Sequence, residues 1–258
     1  MKKSTLVYAF SVFWLLAVIV ISYFTLRSEK ARNPFPIEFD YRQKGMDSLH
    51  LSVPVPDGLY ELQVVLGHRK ESGLTTVKDE AQHLFLENVY TAAGEYSGYR
   101  FCVFNRDACL HLEFSGAHPQ VAQVVIRPAR ADVPVLFLCG NAVTAGRLLP
   151  VFFNYKLCVA DFAESGETVA SFSAGHWQTI KSMIRPSDYL LLDFGPEDPN
   201  QADTLKQLME AIRATGATPV LSTCQSATCL LDDLHRTGSP LLSFLRDDVK
   251  ASTQSDEK

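Results

Sequence analysis

The hydrophobic rhythm of the chain changes once, at residues 127–134, and this change confines it to folds that combine two kinds of β-structure. Before it, short runs at 59–66, 101–104, 110–114 and 122–126 alternate apolar with polar residues and are bounded by Gly, Pro, Asp and Ser. A period of two puts successive side chains on opposite faces, so these runs predict antiparallel strands, and their close spacing predicts a β-sandwich of about 100 residues. After it, apolar runs at 135–139, 156–161, 188–194 and 219–223 are separated by turns and helical patterns. Strands that alternate with helices predict a parallel sheet with helices on its faces. The clearest helix covers 202–215, where Leu205, Leu208, Met209 and Ile212 recur at three and four, and Gly216 stands at the C-terminal cap. The charged, proline-bearing segment 127–134 is read as the domain boundary.

Residues 6–26 form an apolar and aromatic run with no charged side chain, long enough as a helix to cross a hydrocarbon core of ~30 Å. Lys2 and Lys3 precede it, which orients the N-terminus toward the cytoplasm and the rest outside, against the weaker pull of Arg27, Lys30 and Arg32. The run is longer than a signal-peptide core and no small-residue cleavage site follows it, so it reads as an uncleaved anchor. The expected organisation is therefore residues 1–33 as cytoplasmic start and transmembrane anchor, 34–130 as a β-sandwich, and 131–258 as an α/β domain, with the latter two periplasmic or at the cell surface.

A net charge of −5 and the lack of any basic cluster outside the termini argue against a nucleic-acid partner. Export permits disulfides, and Cys102 with Cys109 and Cys224 with Cys229 are the pairs close in sequence. Cys139 and Cys158 lie in apolar runs and are expected as buried free thiols. No cofactor motif is evident. His50, His68, His83, His111 and His118 are scattered without ligand spacing, so no metal is expected.

The run ending at Cys139 stops at Gly140-Asn141-Ala142-Val143, a strand-to-helix turn of the kind where α/β folds place chemistry. Other segments with the same order and spacing as a known family are 57–62, Leu66-Gly67, 75–80, 84–87, Gly94-Glu95, 112–116 and Pro119. To these add 134–140, 163–166 with Ser171-Phe172, and 188–195. Together they resemble the rhamnogalacturonan acetylesterase-like proteins of the SGNH (GDSL-type) hydrolase superfamily, those with an N-terminal β-sandwich. The resemblance implies a shortened three-layer α/β domain with a parallel sheet, and a carbohydrate acetylesterase ancestry.

The family's first block reads Gly-Asp-Ser-Thr, with serine as nucleophile, whereas this chain has Ala142 at that position; alanine cannot form an acyl-enzyme. Gly166 matches the glycine whose N–H stabilises the oxyanion. In the third block the family's Asn donor is replaced, since this chain reads Phe194-Gly195-Pro196-Glu197-Asp198. A carboxylate there repels a developing oxyanion. Asp232 and His235 have the spacing of the last block, Asp-x-x-His, although only 34 positions separate Asp232 from Asp198. Thr144, two positions past Ala142, is a poor substitute nucleophile because a first-turn hydroxyl more often caps the helix.

The expectation is thus a membrane-anchored pseudoenzyme whose cleft, around Gly140, Asn141, Ala142, Glu197 and Asp198, binds a glycan, an acetylated polysaccharide or an envelope protein. The alternatives are an active carbohydrate deacetylase working through Asp232 and His235 with an altered mechanism, and a structural envelope component.

Overall fold

The computed structural model describes residues 35–43, 49–141, 150–195, 201–222 and 227–247. The described residues from Glu38 onward group as one compact unit. The proposed anchor at 6–26 lies outside the described residues, among which no helix is long and apolar enough to cross a membrane.

Twelve strands are described: β1 (Ile37–Asp40), β2 (His50–Pro54), β3 (Gly58–Leu66), β4 (Gly73–Lys78), β5 (Leu84–Thr91), β6 (Ser97–Asn105), β7 (Cys109–Ser115), β8 (Val121–Pro128), β9 (Val135–Gly140), β10 (Cys158–Asp161), β11 (Tyr189–Asp193) and β12 (Thr218–Leu221). The helices described from end to end are α1 (Val169–Ala174), α2 (His176–Lys181), α3 (Ala202–Ala214) and α4 (Ala227–Thr237), followed by a 3₁₀ turn at Pro240–Phe244.

The expectation of a self-contained sandwich followed by a separate three-layer α/β domain is overturned by the strand order. One sheet of eight strands runs β1-β8-β3-β6-β10-β9-β11-β12, and a second of four runs β2-β7-β4-β5. The antiparallel strands continue directly into the parallel ones because β6 and β10 pair in parallel, with Val159 opposite Val103. The protein is mostly β, with a mixed sheet shared by both halves of the sequence. The physical reason lies at the edges. A free edge strand leaves a row of backbone donors and acceptors unpaired, and joining β6 to β10 removes two such edges at once.

Each rhythm still produces the strand type its burial requires. On β7, Leu110, Leu112 and Phe114 are buried while the residues between them are partly exposed, as one-sided packing demands. The stacked rings of Phe85 and Phe101, with centroids 4.7 Å apart, hold the small sheet against the large one. All six residues of β9 are buried, because the strand is covered on both faces. Phe137 and Cys139 pack on one side with Phe172, Trp177, Ile180, Leu208 and Ile212 of α1, α2 and α3. Leu136 and Leu138 pack on the other with Leu230, Leu231 and Leu234 of α4 and Leu241 beyond it. Helix α3 has the apolar stripe read from the sequence and ends before Gly216, which adopts φ +86° against Pro186.

Cys229 is disulfide-bonded, whereas Cys102, Cys109, Cys139 and Cys158 are free. Burial pushes the Cys139 and Cys158 thiols well up, and Cys158 also hydrogen-bonds Cys102 across the β6–β10 joint. Because Cys102, Cys139 and Cys158 are buried and Cys109 is partly exposed, a thiol reagent is expected to modify Cys109 alone among these four in the folded protein. Cys102, Cys139 and Cys158 should label only after unfolding, which mass spectrometry of digested samples will read out.

Candidate functional site

Strands β10 and β11 lie on opposite sides of β9. The chain therefore leaves β9 in one direction and returns on the other side, which makes the carboxyl ends of β9 and β11 a topological switch point, where open α/β sheets form a crevice. Gly140 ends β9 with φ +85°, and a Cβ there would lie 2.0 Å from the Asp193 carbonyl oxygen, so only glycine allows the two strand ends to approach.

Among the described residues, the backbone donors at Gly140, Asn141 and Gly166 are committed to protein acceptors. The Gly140 N–H donates to Glu167 Oε2 at 3.1 Å, and the Asn141 N–H donates to the Asp193 carbonyl at 2.5 Å. The Gly166 N–H donates to Asn141 Oδ1 at 2.6 Å, while Asn141 Nδ2 donates to the Glu167 carbonyl at 3.4 Å. Asn141 thus engages the Gly166 N–H with its own side chain.

Glu167 is held just ahead of α1 by a capping box, in which Thr168 and Ser171 exchange side-chain and backbone hydrogen bonds. Its buried carboxylate meets His176 Nδ1 at 2.8 Å. Burial pushes the Glu167 carboxyl up, against the opposing pull of His176 and the Gly140 N–H. Burial also raises Asp193, whose Oδ1 accepts from the Gly195 N–H at 3.1 Å while its Oδ2 is buried without a partner. Two buried carboxyl groups beside this strand end oppose the build-up of negative charge there.

Of the residues singled out in the sequence, Gly140, Asn141 and Gly166 come together here. Ala142, Thr144, Glu197 and Asp198 lie outside the described residues. Asp232 and His235 sit on α4 with exposed side chains, on a helix whose buried face is Leu230, Leu231 and Leu234. Trp177 is buried in the core beneath the sheet.

Sequence reasoning passed over a second concavity, at the β6–β10 joint where the two sheets meet. It has a volume of about 470 Å³ and is lined by Asp79, Glu80, His83, Phe85, Phe104, Arg106, Asp107, His111 and Asp161, among others. His83 bridges two carboxylates across it: Nδ1–H donates to Asp79 Oδ2 at 2.6 Å and Nε2–H to Asp161 Oδ2 at 3.2 Å. Burial alone would lower the His83 pKa, but the hydrogen bonds and charges of Asp161 and Asp79 prevail and hold it at about 9. Arg106 lies over the Phe162 ring, 4.0 Å from its centroid, and donates to the Asp161 carbonyl at 3.2 Å.

The one local signal for this cleft is the i,i+4 pair Asp79 and His83. The remaining partners are distant in sequence, His83 and Asp161 being 78 positions apart.

No family model matches the chain, and no curated protein matches it. Among solved structures, the chain is similar to a Bacteroides uniformis beta-glucuronidase 2 at 9% identity and a TM-score of 0.29, covering 31% of this chain and 10% of that one. It is similar to a ruminal GH26 endo-beta-1,4-mannanase at 10% identity and a TM-score of 0.25, covering 72% of this chain and 48% of the other. A Glycosylation Associate Protein (Gap123) complex from Streptococcus agalactiae gives 8% identity and a TM-score of 0.22, with coverage of 76% and 73%. The chain spans about a tenth of the length of the first and about half of the second. Superpositions this loose assign no role to any residue.

Proposed function

We propose that the protein is a non-hydrolytic binding protein for a neutral, polyhydroxylated glycan, held outside the cytoplasm by its N-terminal apolar segment. The observation that carries this reading is the hydrogen bond from the Gly166 N–H to Asn141 Oδ1 at 2.6 Å. Acyl transfer needs donors aimed at the developing oxyanion, and here the matching donor is held by a side chain of the protein itself. The crevice then serves as a joint between strand ends.

Ligand capture is assigned to the cleft of about 470 Å³, whose volume falls in the range of small-ligand sites and whose lining combines aromatic rings with convergent polar groups. Asp79, Glu80, Asp107 and Asp161 outweigh Arg106 and the protonated His83, so the cleft disfavours an acidic polysaccharide and favours a neutral one. The disulfide at Cys229 agrees with an oxidising compartment.

The full chain is expected to release no acetate from acetylated xylan or p-nitrophenyl acetate. On a glycan array it should retain neutral oligosaccharides, with Arg106→Ala weakening retention by about tenfold, equivalent to about 1.4 kcal/mol. Asn141→Ala should leave retention unchanged. Ester turnover abolished by His235→Ala would overturn the reading, as would glycan retention that depends on Asn141 and is indifferent to Arg106.

A further inference from the structure

We infer that Glu80, Asp107 and His111 form a binding site for a divalent transition-metal cation of zinc-like character on the rim of the cleft. One ligand atom from each lies within 4.8 Å of those of the other two. They arrive from separate places in the fold: Glu80 between β4 and β5, Asp107 between β6 and β7, and His111 on β7. All three line the same cleft of about 470 Å³.

The imidazole is oriented for this task. Ser52 lies opposite His111 in the β2–β7 register, and its Oγ is 2.9 Å from His111 Nδ1. The Ser52 hydroxyl can accept from Nδ1–H, and in that tautomer Nε2 is left for a metal, the usual arrangement around a ligating histidine. His111 Nε2 lies 3.5 Å from Glu80 Oε2. This is long for a charge-assisted hydrogen bond and close to the ligand-to-ligand edge of about 3.4 Å that a tetrahedron with bonds near 2.1 Å requires. One imidazole and two carboxylates match a borderline cation better than the all-oxygen cage that calcium or magnesium takes. Two positive charges would also offset the excess of carboxylates that line the cleft.

Glu164, Glu167 and His176 form a second cluster of similar span. There, both Glu167 oxygens are already engaged, one by the Gly140 N–H and one by His176 Nδ1 at 2.8 Å, so a cation would have to displace existing bonds. In the Glu80 cluster the Cys109 N–H engages Asp107 Oδ1 at 3.3 Å, which leaves Oδ2 to serve as the ligand atom. The cation site stands on its own geometry; only a role for the ion in bridging glycan hydroxyls rests on the reading above.

The test is calorimetric titration of zinc chloride into the tag-free full chain after chelator treatment, with no glycan present. One equivalent is expected to bind saturably. His111→Ala and Asp107→Asn should each weaken binding at least tenfold, and so should Glu80→Gln, whose side chain is 73% exposed and whose replacement leaves folding intact. Glu164→Gln should have no effect. Cobalt in place of zinc should give the intense visible absorption of a tetrahedral site, lost in Glu80→Gln. The inference is overturned if the wild-type chain takes up no zinc saturably, if uptake is unchanged in Glu80→Gln and His111→Ala, or if Glu164→Gln is the variant that abolishes it. Zinc binding without glycan retention would sink the proposed function and leave the cation site standing.

Discussion

Raising the pH from about 6.5 to above 9 is expected to remove about 3 kcal/mol of folding stability through His83 alone. Its pKa is held at about 9 in the folded protein, against about 6.5 for an unconstrained histidine. Each unit of difference corresponds to about 1.36 kcal/mol, and a raised pKa means that folding favours the protonated form. The contribution is therefore fully present below about pH 6.5, declines as pH rises, and is lost once pH passes about 9. Asp79 and Asp161 then face an uncharged ring, and their mutual repulsion is no longer offset by His83.

Urea unfolding of the wild type and of His83→Gln across this window checks the claim. The glutamine variant is neutral throughout, so the difference between the two stabilities should shrink by about 3 kcal/mol from the acid end to the alkaline end. Taking the difference also removes the contributions of other groups that titrate in the same range. If the two curves run parallel, His83 is not the proton-holding latch that the geometry describes. Glycan retention by the cleft should follow the same titration, since Asp79 and Asp161 line it and His83 fixes their positions.

The parts of the fold legible in the sequence are those governed by local period and one-sided or two-sided burial. The alternation in 110–114 and the unbroken apolar run at 135–139 foretell a half-buried and a fully buried strand, and the stripe of Leu208 and Ile212 foretells the buried face of α3. The union of the two sheets is not legible, because whether Val103 finds Val159 depends on which edges remain free after each half folds. No period records that choice. The switch-point crevice was legible as a place, through Gly140 and Gly166. Its chemical state was not, since Asn141 Oδ1 reaches Gly166 across 25 positions. The cleft was hidden for the same reason: His83, just ahead of β5, and His111, on β7, look isolated in the sequence, and only the three-dimensional arrangement supplies Asp161 to one and Ser52 and Glu80 to the other. Spacing rules find metal or catalytic sites built within one element, and this cleft is assembled from turns of both sheets.

Asp188→Ala is expected to cost about 3–5 kcal/mol, the penalty for stripping the acceptor from a buried ionic network. Asp188 has 1% of its surface exposed and sits at the entry to β11. Its Oδ1 accepts from the Val135 N–H at 2.8 Å, its Oδ2 accepts from the Arg185 N–H at 2.8 Å, and the Arg185 guanidinium adds Nη2 to Oδ1 at 3.0 Å. The same guanidinium donates to the carbonyls of Ala131 and Val133 at 2.8 and 2.6 Å. The carboxylate thereby ties the end of the linker to the starts of β9 and β11, and its backbone carbonyl accepts from Thr218 N–H at 2.9 Å to bring in β12. Alanine would leave two backbone donors without an acceptor and a guanidinium without its counter-ion. Arg185→Ala should cost less, because the carboxylate keeps both backbone donors and the arginine side chain is already 32% exposed. For a chain of this size each kcal/mol lowers Tm by about 2–4 °C, so Asp188→Ala should melt roughly 10 °C below the wild type. A loss under about 1 kcal/mol, or a larger loss in Arg185→Ala than in Asp188→Ala, would mean that the parallel strands are held in place by apolar packing on β9 alone and that the carboxylate is incidental to the joint.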